Sequence, residues 1–386
     1  MKKLYTYSRL ILFCSFIFLP LHLIAQESSI RETDAFSFEA SYIGDNINNL
    51  WGGIKTGSCY LGLANFHLNF DTEKAGLWKG GQFHVNAANT HGASPSSEIL
   101  GDMQVVSNID AGNHTYLQEI WIKQVIGNVE LTAGLQDLNV EFANSEHGAL
   151  FLNSSFGILP VISNNITAPI FPLTALGLTA KWNISDKTSW LSAVYDGSPT
   201  VFDYNPYNIK WQFISGDGLL AISEFQYNIN LSELPGIYKI GGYSHSHLVE
   251  ECLDKKVPDS LHHDIFGFYA YADQKVWELN HKSIGIFTQL GYSPARASAN
   301  NYYLGLGMNY SGIFSKQGQD VLGLAIAYEN FSGGIKSETA IELTYQRQLT
   351  KNIFFQPDFQ YIVNPAGACH KVSNCLAGNL RLGISF

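Results

Sequence analysis

Polar and apolar side chains alternate along most of this chain, and a period of two limits what it can fold into. Over 60–71, Tyr60, Ala64, Phe66, Leu68 and Phe70 lie on one face, and Asn65, His67, Asn69 and Asp71 on the other. Val129, Leu131, Ala133 and Leu135 oppose Glu130, Thr132 and Gln136 in the same way, and Leu380, Leu382, Ile384 and Phe386 oppose Asn379, Arg381 and Ser385. Successive side chains of a β-strand point to opposite faces, so each segment reads as a strand with one wet and one dry side. No comparable stretch carries helical spacing.

Sixteen such segments can be marked, at roughly 36–42, 60–71, 81–88, 115–124, 128–136, 175–184, 188–196, 218–229, 236–245, 264–272, 282–292, 302–311, 320–331, 338–348, 353–363 and 378–386. Most of the long connections fall at one end of these strands and the short ones at the other, as in barrels with long external loops and short periplasmic turns. Composition separates this reading from a secreted sandwich. Charged residues make up only 15% of the chain, against about 25% in soluble domains, and aromatics reach 13%. The polar face holds mostly Asn, Gln, Ser, Thr and Gly, which suits a watery lumen. The dry face ends in Tyr or Trp at Tyr42, Trp182, Tyr195, Tyr227, Tyr292, Tyr310, Tyr328 and Tyr345, as in an interfacial girdle. In hydrocarbon every backbone N–H and C=O must be paired, which strands achieve only in a closed barrel. The expectation is an all-β transmembrane antiparallel β-barrel of about sixteen strands.

Residues 1–25 read as a signal peptide, with Lys2, Lys3 and Arg9 before an apolar run and cleavage after Ala25; residues 26–386 are then the barrel domain. Three basic residues and no acidic one leave with the signal, so the net charge deepens from −10 to −13. That charge argues against nucleic acid as a partner and for a mild cation preference. Cys14 leaves too. Cys369 and Cys375, six residues apart across a loop, form the favoured disulfide, while Cys59 and Cys252 either pair or stay free.

Several stretches resemble the carbohydrate-selective porins of the OprB type. They are Leu50-Trp51-Gly52-Gly53, GDMQVVSNIDA at 101–111, LQEIWIKQ at 117–124, GLQDLNVEF at 134–142, FLNSSFG at 151–157, FPLTALG at 171–177, YDGSP at 195–199, VLGLAIAYENFS at 321–332, QPDFQYIVNPAG at 356–367 and the terminal LRLGISF. The resemblance implies a sixteen-stranded outer-membrane channel that passes sugars passively. The partners expected are small sugars or other hydrophilic solutes and outer-membrane lipid, with a homotrimer left open.

The 38-residue connection 137–174 is too apolar to float in water, given Phe142, Leu150, Phe151, Leu152, Phe156 and Ile158. It is expected to fold into the lumen and narrow it, bringing Asp137, Glu141, Glu146 and His147 to the solute; packing on the rim is the alternative. Strand residues expected in the lumen include Glu119, Trp121, Lys123, Lys181, Glu342, Gln356, Asp358 and Arg381. Carboxylates and amides exchange hydrogen bonds with hydroxyls, and an indole face stacks on the apolar side of a pyranose. Arg381 is expected to pair with Asp358 or Glu342. His245, His247, His262 and His263, with Glu250, Glu251 and Cys252, match no metal spacing and read as a polar loop. No catalytic motif is present, so no cofactor, metal or catalytic residue is assigned. The competing functions are a general or ion-selective porin and an outer-membrane hydrolase.

Overall fold

The computed structural model describes residues 34–211, 218–248, 262–294, 298–315, 317–332, 337–368 and 371–386. The signal segment, Cys252 and Cys369, hence the Cys369–Cys375 pairing, lie outside them. Sixteen strands form one closed antiparallel barrel, each paired with its sequence neighbours and the first with the last. They are β1 (Phe36–Gly53), β2 (Gly57–Asp71), β3 (Gly81–Gly92), β4 (His114–Ile126), β5 (Val129–Gln136), β6 (Ala175–Ser185), β7 (Thr188–Asp196), β8 (Leu219–Leu231), β9 (Leu234–Leu248), β10 (His262–Leu279), β11 (Lys282–Tyr292), β12 (Asn300–Ser311), β13 (Asp320–Phe331), β14 (Ser337–Thr350), β15 (Ile353–Val363) and β16 (Ser373–Ser385). None of the described helices is long and apolar enough to cross a membrane.

Alternation sorts the side chains as expected. Leu178, Ile240, Phe268 and Phe359 stand on the outer face and are exposed, while Glu224, Gln289, Glu342 and Gln360 point inward and are buried. At the short-turn end, Ser232 and Glu233 join β8 to β9 with positive φ at both positions, the backbone of a two-residue type I′ hairpin.

Two expectations change. The first strand runs to Gly53, eleven residues beyond Tyr42, because Gly44, Asp45, Asn46, Asn48 and Asn49 pair with both β16 and β2 despite their turn-forming chemistry. The long first connection therefore shrinks to residues 54–56. Tyr195 belongs to no outer girdle: it faces inward beside Gly177 and is buried. The inner face of this side of the barrel is apolar because something apolar fills it.

That filling is the connection 137–174. Its Phe142, Phe151, Phe156, Leu159 and Val161 share one core with the inward Leu191, Ile222, Tyr243, Tyr269 and Phe287. Short helical turns at Leu138–Glu141, Ser154–Gly157 and Pro160–Ser163 satisfy its backbone locally. Inward glycines make its seat. A β-carbon added at Gly285 would meet the His147 ring at 2.3 Å, one at Gly291 would meet Val161 at 2.4 Å, and one at Gly323 would meet Leu150 at 2.7 Å. The connection 93–113 folds inward as well. Its Ile99, Leu100 and Val106 pack in a second core with Leu61, Ile362 and Phe202.

Replacing the Gly291 seat with a branched side chain (Gly291→Ile) should lift the inserted loop while the barrel itself stays closed. In planar bilayers this variant should show a larger, noisier single-channel conductance than the parent, with unchanged β-content by circular dichroism; equal conductance would mean that Gly291 does not seat the loop.

Candidate functional site: the gap beside an inserted loop

The loop is held by carboxylates of the wall that accept its backbone N–H groups. Glu342 accepts from Leu152 and Asn153 at 2.6 and 3.0 Å. Asp273 accepts from His147 N–H at 2.9 Å and from the Ser145 hydroxyl at 2.7 Å, and Glu224 accepts from Ala143 at 2.9 Å. Gln356 donates to the Leu150 carbonyl at 2.8 Å, and Lys239 donates to the Asn144 carbonyl at 2.9 Å. The 93–113 segment is latched likewise, with Met103 and Gln104 both donating to Glu338.

Glu342, Gln356 and Asp358, expected to meet the solute, are thus buried beneath the loop, where Asp358 accepts from Gln360 at 3.1 Å. Arg381 pairs with neither Asp358 nor Glu342. Its Nε and Nη2 grip the two oxygens of Asp45 at 2.7 and 2.8 Å, and Nη2 also donates to Asn108 at 2.7 Å. Asp45 and Arg381 are register partners across the β1–β16 seam, a pairing that sequence distance conceals.

The loop packs against the β7–β15 side and the 93–113 segment covers Leu61, Leu63, Ala88 and Tyr116, so the inner side chains of β2–β6 left partly exposed include His67, His84, Trp121, Lys123 and Lys181. The wall there carries a stack. The Trp121 ring lies on His84 with centroids 4.7 Å apart, and His67 follows at 5.5 Å. His84 Nδ1 sits 2.6 Å from Asn69 Oδ1, and its Nε2 lies 3.8 Å from Glu119. Trp121 Nε1–H donates to Glu119 at 3.3 Å. Lys123 reaches over the indole, its Nζ 5.6 Å from the ring centre, and lies 3.5 Å from both Glu130 of the wall and Glu141 of the loop. Lys181 is the register partner of Glu130 and stands half-buried on the same inner face. Glu146 is exposed on the loop, and His147 lies against Gly285.

Sequence reasoning brought out the Glu119–Trp121–Lys123 group and Glu141, which the structure brings together. It did not single out His67 and His84, although their places on the polar face of β2 and β3 marked them as inward. It missed Asp45, Glu224, Asp273 and Glu338, and only the stretch 101–111 hinted at the second inserted segment. His245 is buried and held by the Gly197 carbonyl, and no group of three potential metal ligands occurs among the described residues.

The loop begins with Asp137, which caps the first turn by accepting from Asn139 at 2.9 Å and ties down its far end through Phe171 N–H at 3.0 Å. Burial pushes this carboxyl up to about 6, and burial does the same to Asp102 of the 93–113 segment, also to about 6.

The sequence model of the carbohydrate-selective porins, the OprB family, matches residues 55–386. The chain belongs to this family. Its fold is that of the Pseudomonas putida OprB porin solved at high pH, with a TM-score of 0.82 at 19% identity over 91% of this chain and 94% of that one. The anion-selective porin of Comamonas acidovorans gives 0.57 at 10% identity, over 91% of this chain and 99% of its own. The in-vitro folded OmpT of Vibrio cholerae in its trimer form gives 0.53 at 9% identity, over 92% of this chain and all 100% of that one. No curated protein matches the chain. This porin is therefore an outer-membrane channel for sugars, and its family and fold are those of a non-enzymatic channel.

The raised carboxyls of Asp137 and Asp102 give the porin a definite pH response. A carboxyl whose folded pKa lies above its unfolded one stabilises the fold fully below about 3.9, and that contribution is lost as pH rises through about 6. For each group the contribution is at most on the order of 3 kcal/mol. The thermal midpoint in detergent should drop between about pH 4 and about pH 7 more steeply in the parent than in the double variant Asp137→Asn, Asp102→Asn; parallel profiles would contradict this.

Proposed function

We propose that sugars cross this porin passively through the gap between the β2–β6 wall and the Glu141 edge of the loop, with no catalytic step. One observation carries this: the partly exposed Trp121–His84 stack offers aromatic surface among Lys123, Glu119, Glu130 and Glu141. The indole covers the C–H side of a pyranose, while carboxylates accept and the ammonium donates to its equatorial hydroxyls. A purely charged ring would select ions instead. The guanidinium of Arg381 contributes little to a solute, because Asp45 and Asn108 already occupy it.

Liposome swelling tests the assignment. The parent should admit monosaccharides faster than amino acids of similar size, and Trp121→Ala should erase most of that preference while keeping the amino-acid rate. Rates that follow size alone in the parent would make it a general porin.

Association as a homotrimer extends the reading. On the outer face of β1–β4 runs a hydrogen-bonded chain: Tyr60 and Tyr42 hydroxyls, then His91 Nε2 at 3.0 Å, Asn89 at 3.0 Å from Nδ1, and Thr115 at 2.7 Å. Such a polar row is better covered by a neighbouring barrel than by hydrocarbon. Chemical cross-linking in native membranes should trap trimers, with fewer from a His91→Leu, Asn89→Leu variant; monomers alone would remove this part of the reading.

A further inference from the structure

Beneath the docked loop, at the short-turn end of the barrel, lies a cavity of about 330 Å³ whose lining shares no residue with the Trp121 wall. Its polar lining comes from Glu146 and His147 of the loop, Asn228 and Asn230 of β8, and Asp273 and Lys275 of β10. Ile237 and Pro235 of β9 supply an apolar side. Glu146, Asn228 and Asn230 are exposed, so the cavity opens to water at that mouth.

Asp273 is the telling group. It is 2% exposed, and its Oδ1 is fully used by Ser145 and His147. Its Oδ2 has no hydrogen-bond partner among the described residues. A buried acceptor without a donor is costly, and an occupant that donates would relieve it. The other groups restrict the occupant. A bare cation would face Lys275, which pairs with Glu278 at 2.9 Å, and would leave the two amide N–H₂ groups unused. An anion would oppose Asp273 and Glu146. A ring rich in hydroxyls both donates and accepts, and carries C–H surface for Ile237 and Pro235. The volume is at the lower end of small-molecule sites, about 300–1,000 Å³, which suits a monosaccharide.

We propose that this cavity is a second sugar subsite, on the short-turn side of the loop, where a monosaccharide donates a hydroxyl hydrogen to Asp273 Oδ2. The proposal rests on the sugar-channel reading above. It places two subsites along the same inserted loop, Glu141 serving the first and Glu146 and His147 the second.

Current-noise analysis of single porins in planar bilayers, with D-glucose as the probe added to either side, tests it. The parent should show two glucose-dependent relaxation components. Asn228→Leu with Asn230→Leu should weaken one of them by about tenfold or more and leave the other, whereas Trp121→Ala should do the reverse. Unchanged β-content by circular dichroism reports correct folding of each variant, and Glu146→Leu, at an exposed loop position, provides the same test should the double variant fail to fold. A single component in the parent that Trp121→Ala abolishes, or two components that the cavity variants leave untouched, would overturn the second subsite while keeping the sugar channel. An open parent channel with no glucose-dependent noise would overturn the sugar reading itself.

Discussion

Carboxylates buried in the wall hold the inside of this barrel together by accepting backbone N–H groups from the two inserted segments. Glu342, Asp273 and Glu224 take the 137–174 loop, and Glu338 takes the 93–113 segment. A loop buried in a lumen brings many orphan N–H groups with it, and each costs free energy unless paired. One carboxyl group can accept several such N–H groups at once, as Glu342 does from Leu152 and Asn153 and Glu338 from Met103 and Gln104. Remove the carboxylates and the loop loses its partners; remove the loop and the carboxylates face water, where they would recast the lumen as a broad acidic pore.

Packing follows the same division. On one side of the barrel, inward glycines on β11 and β13 leave hollows, and the apolar side chains of the loop fill them. On the other side, the 93–113 segment covers Leu61, Leu63, Ala88 and Tyr116, and the polar inner side chains His84, Trp121, Lys123 and Lys181 stay partly exposed. A sixteen-stranded barrel would otherwise leave a wide aqueous channel. Filling one side turns it into a gap walled by Trp121, His84 and Lys123 opposite Glu141, so the chemistry a solute meets is decided by which strands the loop leaves bare.

Much of this was legible in the sequence, and the reasons for the exceptions are physical. Alternation gives strands and their two faces directly, and the apolar content of 137–174 signals that the loop must be buried. Alternation alone does not say which face is inner where both are apolar, so Tyr195 reads as an outer aromatic until the loop it packs against is seen. Asp45 and Asn49 look like turn residues because a strand buried among polar inward groups needs no apolar alternation. The Asp45–Arg381 pair and the Glu338 latch join residues 336 and about 235 positions apart, and only the closure of the barrel brings them together. Which lumen carboxylates the loop covers is likewise a matter of where the loop lands: Glu342 lies under its middle and Glu119 accepts the N–H of its first residue, Asp137, and neither carries a local mark of it in the sequence.

The account turns on the inserted loop as the element that narrows the lumen. Its most direct test is the single-channel conductance of a porin in which residues 143–168 are replaced by a short Gly-Ser bridge, compared with the parent in the same bilayer and salt. The account predicts a severalfold larger conductance, with monosaccharides and disaccharides no longer told apart in permeation. A bridged barrel that folds and conducts like the parent would contradict it.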